Sequence, residues 1–150
     1  MEQYRGRCSC GSVRFELGGR PLWTVVCHCN ACKKRTGSAF GLSVAVDSAS
    51  VKEFVGPTKT FIRMGDSGKA VRYEFCPTCG TTLRWHVALI PNMVVFAGGV
   101  LDEVGQFEAL GEMYTNEALP WARLGCELSR SGAPDDDFRN AMKEKAKSSG

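Results

Sequence analysis

Val71-Arg72-Tyr73-Glu74-Phe75-Cys76-Pro77-Thr78-Cys79-Gly80 is the stretch on which the fold turns. Its first half alternates apolar and charged side chains with period two, as a strand does when one face is buried and the other is wet. It then runs straight into two cysteines and a glycine. That spacing holds two thiolates on one turn, and the glycine stands where the backbone takes a positive φ or offers its N–H to a sulfur. Cys8-Ser9-Cys10-Gly11 repeats the device, with 65 residues between the pairs. Together Cys8, Cys10, Cys76 and Cys79 form a four-cysteine set, the common tetrahedral structural zinc site. A redox dithiol at Cys76 and Cys79 is the competing reading, but no βαβ pattern surrounds it.

Outward from this stretch the chain reads as β structure. Val13 to Leu17 alternates, and so do Phe40, Leu42, Val44 and Val46 with small partners. Val51 to Val55 and Thr58 to Arg63 are β-rich runs separated by Gly56-Pro57. Leu83, Trp85 and Val87 share a face opposite Arg84 and His86, and Met93 to Ala97 suits a buried strand. Gly18-Gly19, Gly65 to Gly68 and Pro91-Asn92 supply the turns. Six or more short strands predict a small, mainly β protein of antiparallel sheets. Helix is scarce until Pro134 to Lys147, where three aspartates at the start and lysines near the end complement a helix dipole. Phe138, Ala141, Met142 and Lys145 share one side of it. The expected organisation is a zinc-binding domain over residues 1–130, followed by a helix or tail over 131–150.

The composition agrees. The 150 residues are 43% hydrophobic and 23% charged, ordinary for one globular domain. The formal charge of +3 is too small to argue for nucleic acid. Eight cysteines are the anomaly, and seven of them sit in tight clusters, unlike a disulfide framework. Met1 to Arg7 has no apolar core of the secretory kind, and no stretch approaches the ~20 apolar residues of a membrane span. The expected location is cytoplasmic, with neither membrane nor nucleic acid as partner. Seven thiolates and two Zn²⁺ bring the formal charge to about zero, so the basic excess compensates sulfur.

Cys27-His28-Cys29-Asn30-Ala31-Cys32 is a different kind of cluster, with three cysteines in six residues and no fourth nearby. Three protein ligands with an open position is the arrangement of a catalytic zinc. Water, a substrate atom, His28, His86 or Cys126 remain open as the fourth ligand. His28, between two ligands, suits proton handling with its ring turned from the metal. His86 reads as a surface or hydrogen-bonded residue and Cys126 as a buried inert thiol. A three-thiolate zinc carries a formal charge of −1 and is a weaker Lewis acid than a three-histidine one, yet accepts a further soft sulfur. A thiol substrate or cofactor is therefore expected over plain hydrolysis. Lys33-Lys34-Arg35-Thr36-Gly37-Ser38 follows at once; its cations offset the thiolates and suit an anionic small molecule, or else form a solvated basic turn.

Three segments carry a family resemblance. Gly6 to Phe15, Cys27 to Ser38 and Phe75 to Leu83 resemble, in order, the motifs of the glutathione-dependent formaldehyde-activating family, which includes centromere protein V. Fainter echoes lie at Gly98 to Asp102 and at Tyr114 to Trp121, so that the resemblance covers roughly residues 5 to 124. It implies a β-tent fold, a structural zinc at Cys8, Cys10, Cys76 and Cys79, and a catalytic-type zinc at Cys27, Cys29 and Cys32. It also implies joining glutathione to formaldehyde, a carbon–sulfur lyase reaction read in reverse. Many relatives carry a histidine where this chain has Glu112 or Met113.

The expectation is thus an enzyme with two zincs per chain, acting on a small carbonyl compound or its glutathione adduct. Lys34, Arg35, Thr36 and Ser38 are candidates for holding substrate, Arg35 also for meeting oxyanion charge, and His28 and Glu112 for moving protons. Two rivals stand beside it. One is a thiol-independent epimerase, dehydratase or isomerase. The other is a zinc-scaffolded binding protein with no catalysis. The sequence leaves the oligomeric state open.

Overall fold

The computed structural model describes residues 2–149. Among these are the strands β1 (Gln3–Arg7), β2 (Arg14–Gly18), β3 (Trp23–Cys27), β4 (Gly41–Asp47), β5 (Val51–Val55), β6 (Lys59–Met64), β7 (Ala70–Phe75), β8 (Thr82–Val87), β9 (Met93–Ala97), β10 (Gly111–Met113) and β11 (Leu128–Ser129). The helices are α1 (Asn30–Thr36) and α2 (Asp136–Ser148). The protein is mainly β, as the alternation in the sequence requires. It forms two compact units interleaved along the chain, one of residues 1–21 with 45–106 and one of 22–44 with 107–150. Strand β4 is divided between them at Val44 and Ala45.

The first unit is antiparallel throughout. β1, β2 and β5 form a three-stranded sheet, and β9, β8, β7 and β6 follow one another in a second. The two sheets meet through phenylalanines: Phe15 lies 4.4 Å from Phe96, and Phe54 lies 6.2 Å and 6.4 Å from them. β1 buries Tyr4 and Gly6 and exposes the residues between, the pattern of a half-buried strand. Gly6 is required by close approach. A Cβ there would stand 2.3 Å from the Phe15 ring and 2.5 Å from the Val100 carbonyl. The pairing of β7 with β8 shifts register between Glu74 and Phe75, just before Cys76.

The second unit departs from the antiparallel expectation. β10 pairs in parallel with both β3 and β11. Parallel pairing buries a strand on both faces, and all five residues of β3 are buried, which removes the alternation that would have revealed it. Helix α2 lies on β3 and β11 and buries Phe138 and Met142. Asp135 caps it, its carboxylate accepting the Phe138 N–H at 2.8 Å.

Helix α1 was not foreseen, and a basic turn was only one of two readings of residues 33–38. The basic run lies in the last turn of a seven-residue helix, where cations suit the dipole. Cys29 is its N-cap, its sulfur accepting the Cys32 N–H at 3.4 Å, and Gly37 closes it at φ 63°.

Candidate metal centres and functional site

The first cluster belongs to the first unit. The sulfurs of Cys8, Cys10, Cys76 and Cys79 all lie within 4.8 Å of one another. Cys10 is 3.6 Å from Cys8 and 3.8 Å from Cys76. Zinc at ~2.3 Å from four sulfurs sets tetrahedral edges of about 3.8 Å, so the donor set fits the metal. The two knuckles are built alike. In each, the first cysteine donates its N–H to the carbonyl five residues on, Cys8 to Val13 and Cys76 to Thr81, both at 2.9 Å. Gly11 and Gly80 occupy the left-handed region at φ 79° and 77°, as the knuckle requires.

Ser12 and Thr81 are partners that the sequence reading passed over. The Ser12 hydroxyl lies 3.1 Å from the Cys10 sulfur and 3.3 Å from that of Cys76. The Thr81 hydroxyl lies 3.2 Å from the Cys79 sulfur and accepts the Ser9 N–H. The Thr81 hydroxyl and N–H hold the Cys79 thiol down to about 5, and the Ser12 hydroxyl leads the downward shift at Cys76. The signal was present in the sequence: both knuckles read Cys-Gly followed by a hydroxyl residue.

The second cluster lies in the second unit. Cys27 ends β3, Cys29 caps α1 and Cys32 sits in its first turn, so one strand-to-helix corner gathers all three sulfurs within 4.8 Å. Among the described residues no fourth cysteine, histidine or carboxylate ligand atom joins this group. Cys27 and Cys32 are buried, and the Cys27 and Cys29 sulfurs stand 3.3 Å apart. Contact with Cys29 and Cys32, then burial, push the Cys27 thiol far up. At Cys32 the Cys27 contact lowers the thiol, but Cys29 and burial prevail and raise it to about 11. Three crowded sulfurs in a buried corner do not become thiolates together without a cation among them, and a soft divalent metal is the cation that such a set fits.

His28 is fully buried and turns its Nε2 to Glu112 Oε2 at 2.7 Å. Glu112 is equally buried and accepts two backbone donors besides, Leu124 N–H at 3.0 Å and Cys126 N–H at 2.9 Å. Burial pushes its carboxyl up, but these N–H groups and His28 outweigh that and hold it at about 2. As an ionised carboxylate it only accepts, so His28 Nε2 carries the hydrogen. The Phe40 ring meets the imidazole in a T-shaped contact at 5.6 Å, and Nδ1 is buried without a hydrogen-bond partner.

The basic run divides by helix face. Arg35, one turn after Cys32, is half-buried with its Nε and Nη2 enclosed. A Cβ on Gly41 would come within 2.6 Å of Arg35 Nη2 and 3.5 Å of the Cys32 sulfur, so guanidinium and sulfur share the space over that glycine. Lys34 is exposed. Lys33 donates to the Glu117 carbonyl, while the Glu117 carboxylate accepts the Asn30 N–H at 2.9 Å. Glu117 thus holds the first turn of α1 at Asn30 and Lys33, and the sequence reading missed it. The Thr36 hydroxyl donates to the Cys32 carbonyl at 2.9 Å, and Ser38 is exposed with its N–H on Thr36 and Lys33. Cys126 is half-buried, its sulfur 3.9 Å from the Ala109 carbonyl. His86 stands on β8 opposite Arg72 in the first unit.

Two cysteine clusters that could each hold a metal ion, on a mainly β scaffold, define the class of this protein. A family model described as glutathione-dependent formaldehyde-activating enzyme matches residues 3–117. The chain belongs to that family. No curated protein matches it significantly. Among solved structures, a Rhodobacter sphaeroides protein is similar with a TM-score of 0.51 and 18% identity, over 65% of this chain and 87% of that one, a likeness of fold. No helix among the described residues is long and apolar enough to cross a membrane.

Proposed function

We propose that the chain is a zinc-dependent enzyme of the carbon–sulfur lyase type that joins glutathione to formaldehyde or another small aldehyde. The observation that carries this reading is the Cys27, Cys29 and Cys32 corner, three sulfurs without a fourth protein ligand among the described residues. Zinc bound there would hold a substrate thiol as thiolate near neutral pH. In the reaction a carbon–sulfur bond forms, the carbonyl π bond opens, and the thiol's proton ends on the new hydroxyl. Arg35, whose guanidinium shares the space over Gly41 with the Cys32 sulfur, would meet the negative charge that grows on the oxygen. Lys34, exposed on the same short helix, suits a glutathione carboxylate. Thr36 and Ser38 act through the turn that ends α1, by fixing where Arg35 and Lys34 emerge. His28 is the proton-handling candidate, and Glu112, held ionised by three donors, orients it. The first cluster, closed by four cysteines, serves the fold.

Carbon-13 NMR exchange spectroscopy of glutathione with labelled formaldehyde tests this reading. Catalysis is expected to accelerate interconversion of free aldehyde and S-hydroxymethyl adduct, and Cys29→Ser to abolish the acceleration while leaving the fold intact. If interconversion runs at the uncatalysed rate with glutathione and with other aldehydes alike, the reading fails.

A further inference from the structure

The edge strand β6 is unusually bare. Among the described residues it ends its sheet and pairs only with β7, leaving one row of backbone N–H and C=O groups open. It also carries three large apolar side chains in solvent, with Phe61 59% exposed, Ile62 60% and Met64 69%. They lie on both faces of the strand, Phe61 opposite Tyr73 and Ile62 opposite Arg72. Such an edge is a template for another strand.

Charge and symmetry say which strand. A two-fold axis relating antiparallel neighbours stands perpendicular to the sheet, so one residue must oppose its own copy. Only centres at Phe61 or Ile62 overlap five residues of β6. Centring on Phe61 sets Lys59 against Arg63 of the second copy, a like-charge pair. Centring on Ile62 sets Ile62 against Ile62, Thr60 against Met64, and Phe61 against Arg63 of the second copy, twice over. Phe61 is already stacked on Tyr73 at 6.5 Å, with Arg63 over the same Tyr73 ring at 5.7 Å, so ring and cation are presented on one face.

We propose that β6 is a homodimer edge, pairing antiparallel with β6 of a second copy about a two-fold axis through Ile62. Sedimentation velocity on the full chain tests it. The wild type is expected to dimerise. Ile62→Lys sets two ammonium groups against each other on the axis and should raise the dissociation constant about tenfold or more. Phe61→Glu instead sets a carboxylate against Arg63 of the second copy, so the dimer should persist and weaken as salt rises. Metal content and far-UV circular dichroism verify the fold of each variant, with Ile62→Glu, which sets two carboxylates against each other on the axis, replacing Ile62→Lys if that chain does not fold. A wild type monomeric at ~100 µM, a dimer unaffected by Ile62→Lys or its replacement, or a monomeric Phe61→Glu variant would each overturn the proposal.

Discussion

Glu112 accepts three hydrogen bonds in a place its side chain cannot leave, because neither it nor His28 has any exposed surface. Removing the acceptor by Glu112→Ala leaves His28 and two backbone amides without partners, and should cost about 3–5 kcal/mol in a denaturant titration. Glu112→Gln keeps the shape and one acceptor oxygen and should cost less. Its pH behaviour is the sharper readout. The folded carboxyl is depressed to about 2 from an unfolded value near ~4.3, so its contribution is complete above the latter and lost as pH falls through the former. The stability gap between wild type and Glu112→Gln should therefore close between about pH 4 and pH 2. A gap independent of pH would show that the carboxylate charge has no such role. His28 and Glu112 were both visible in the sequence as candidates, but not their contact. They are 84 residues apart, and only the parallel pairing of β10 with β3 brings them together.

At the scale of elements, what the sequence disclosed depended on alternation or on β-rich, apolar composition. β2, β5, β6, β7, β8 and β9 lie close to the runs that alternation or β-rich composition marked out. β3 is buried on both faces and β10 has three residues, so neither leaves a periodic trace. Helix α1 was hidden for another reason: a cysteine caps it where Ser, Thr, Asp or Asn is the usual signal. The glycines are where these elements are most easily tested. A Cβ at Gly111 on β10 would stand 2.9 Å from the Phe138 ring and 3.2 Å from the Leu128 carbonyl, trapped between α2 and β11. Gly111→Ala should lower stability by about 1–3 kcal/mol, read from the denaturation midpoint. Gly41→Ala meets only the tip of Arg35 and the Cys32 side chain. It should leave the melting temperature nearly unchanged while slowing adduct formation, because the guanidinium must swing away from Cys32. Equal losses in both would mean that Arg35 matters only for packing.

The whole molecule is organised around two sulfur clusters of unequal completeness, a division already legible in cysteine spacing. Four sulfurs close the first, and Ser12 and Thr81 brace them; three sulfurs form the second. A chelator titration followed by metal analysis should therefore remove metal in two stages. The first stage should abolish adduct formation with circular dichroism preserved, and the second should unfold the first unit. The central claim, an open metal corner that takes a thiol, is tested most directly by zinc-edge X-ray absorption, which counts sulfur neighbours. Without glutathione the mean should be about 3.5 sulfurs per zinc, from a four-sulfur and a three-sulfur site, at ~2.3 Å. With saturating glutathione it should rise to about 4. A count that stays near 3.5 with glutathione, or already stands at 4 without it, would contradict the account.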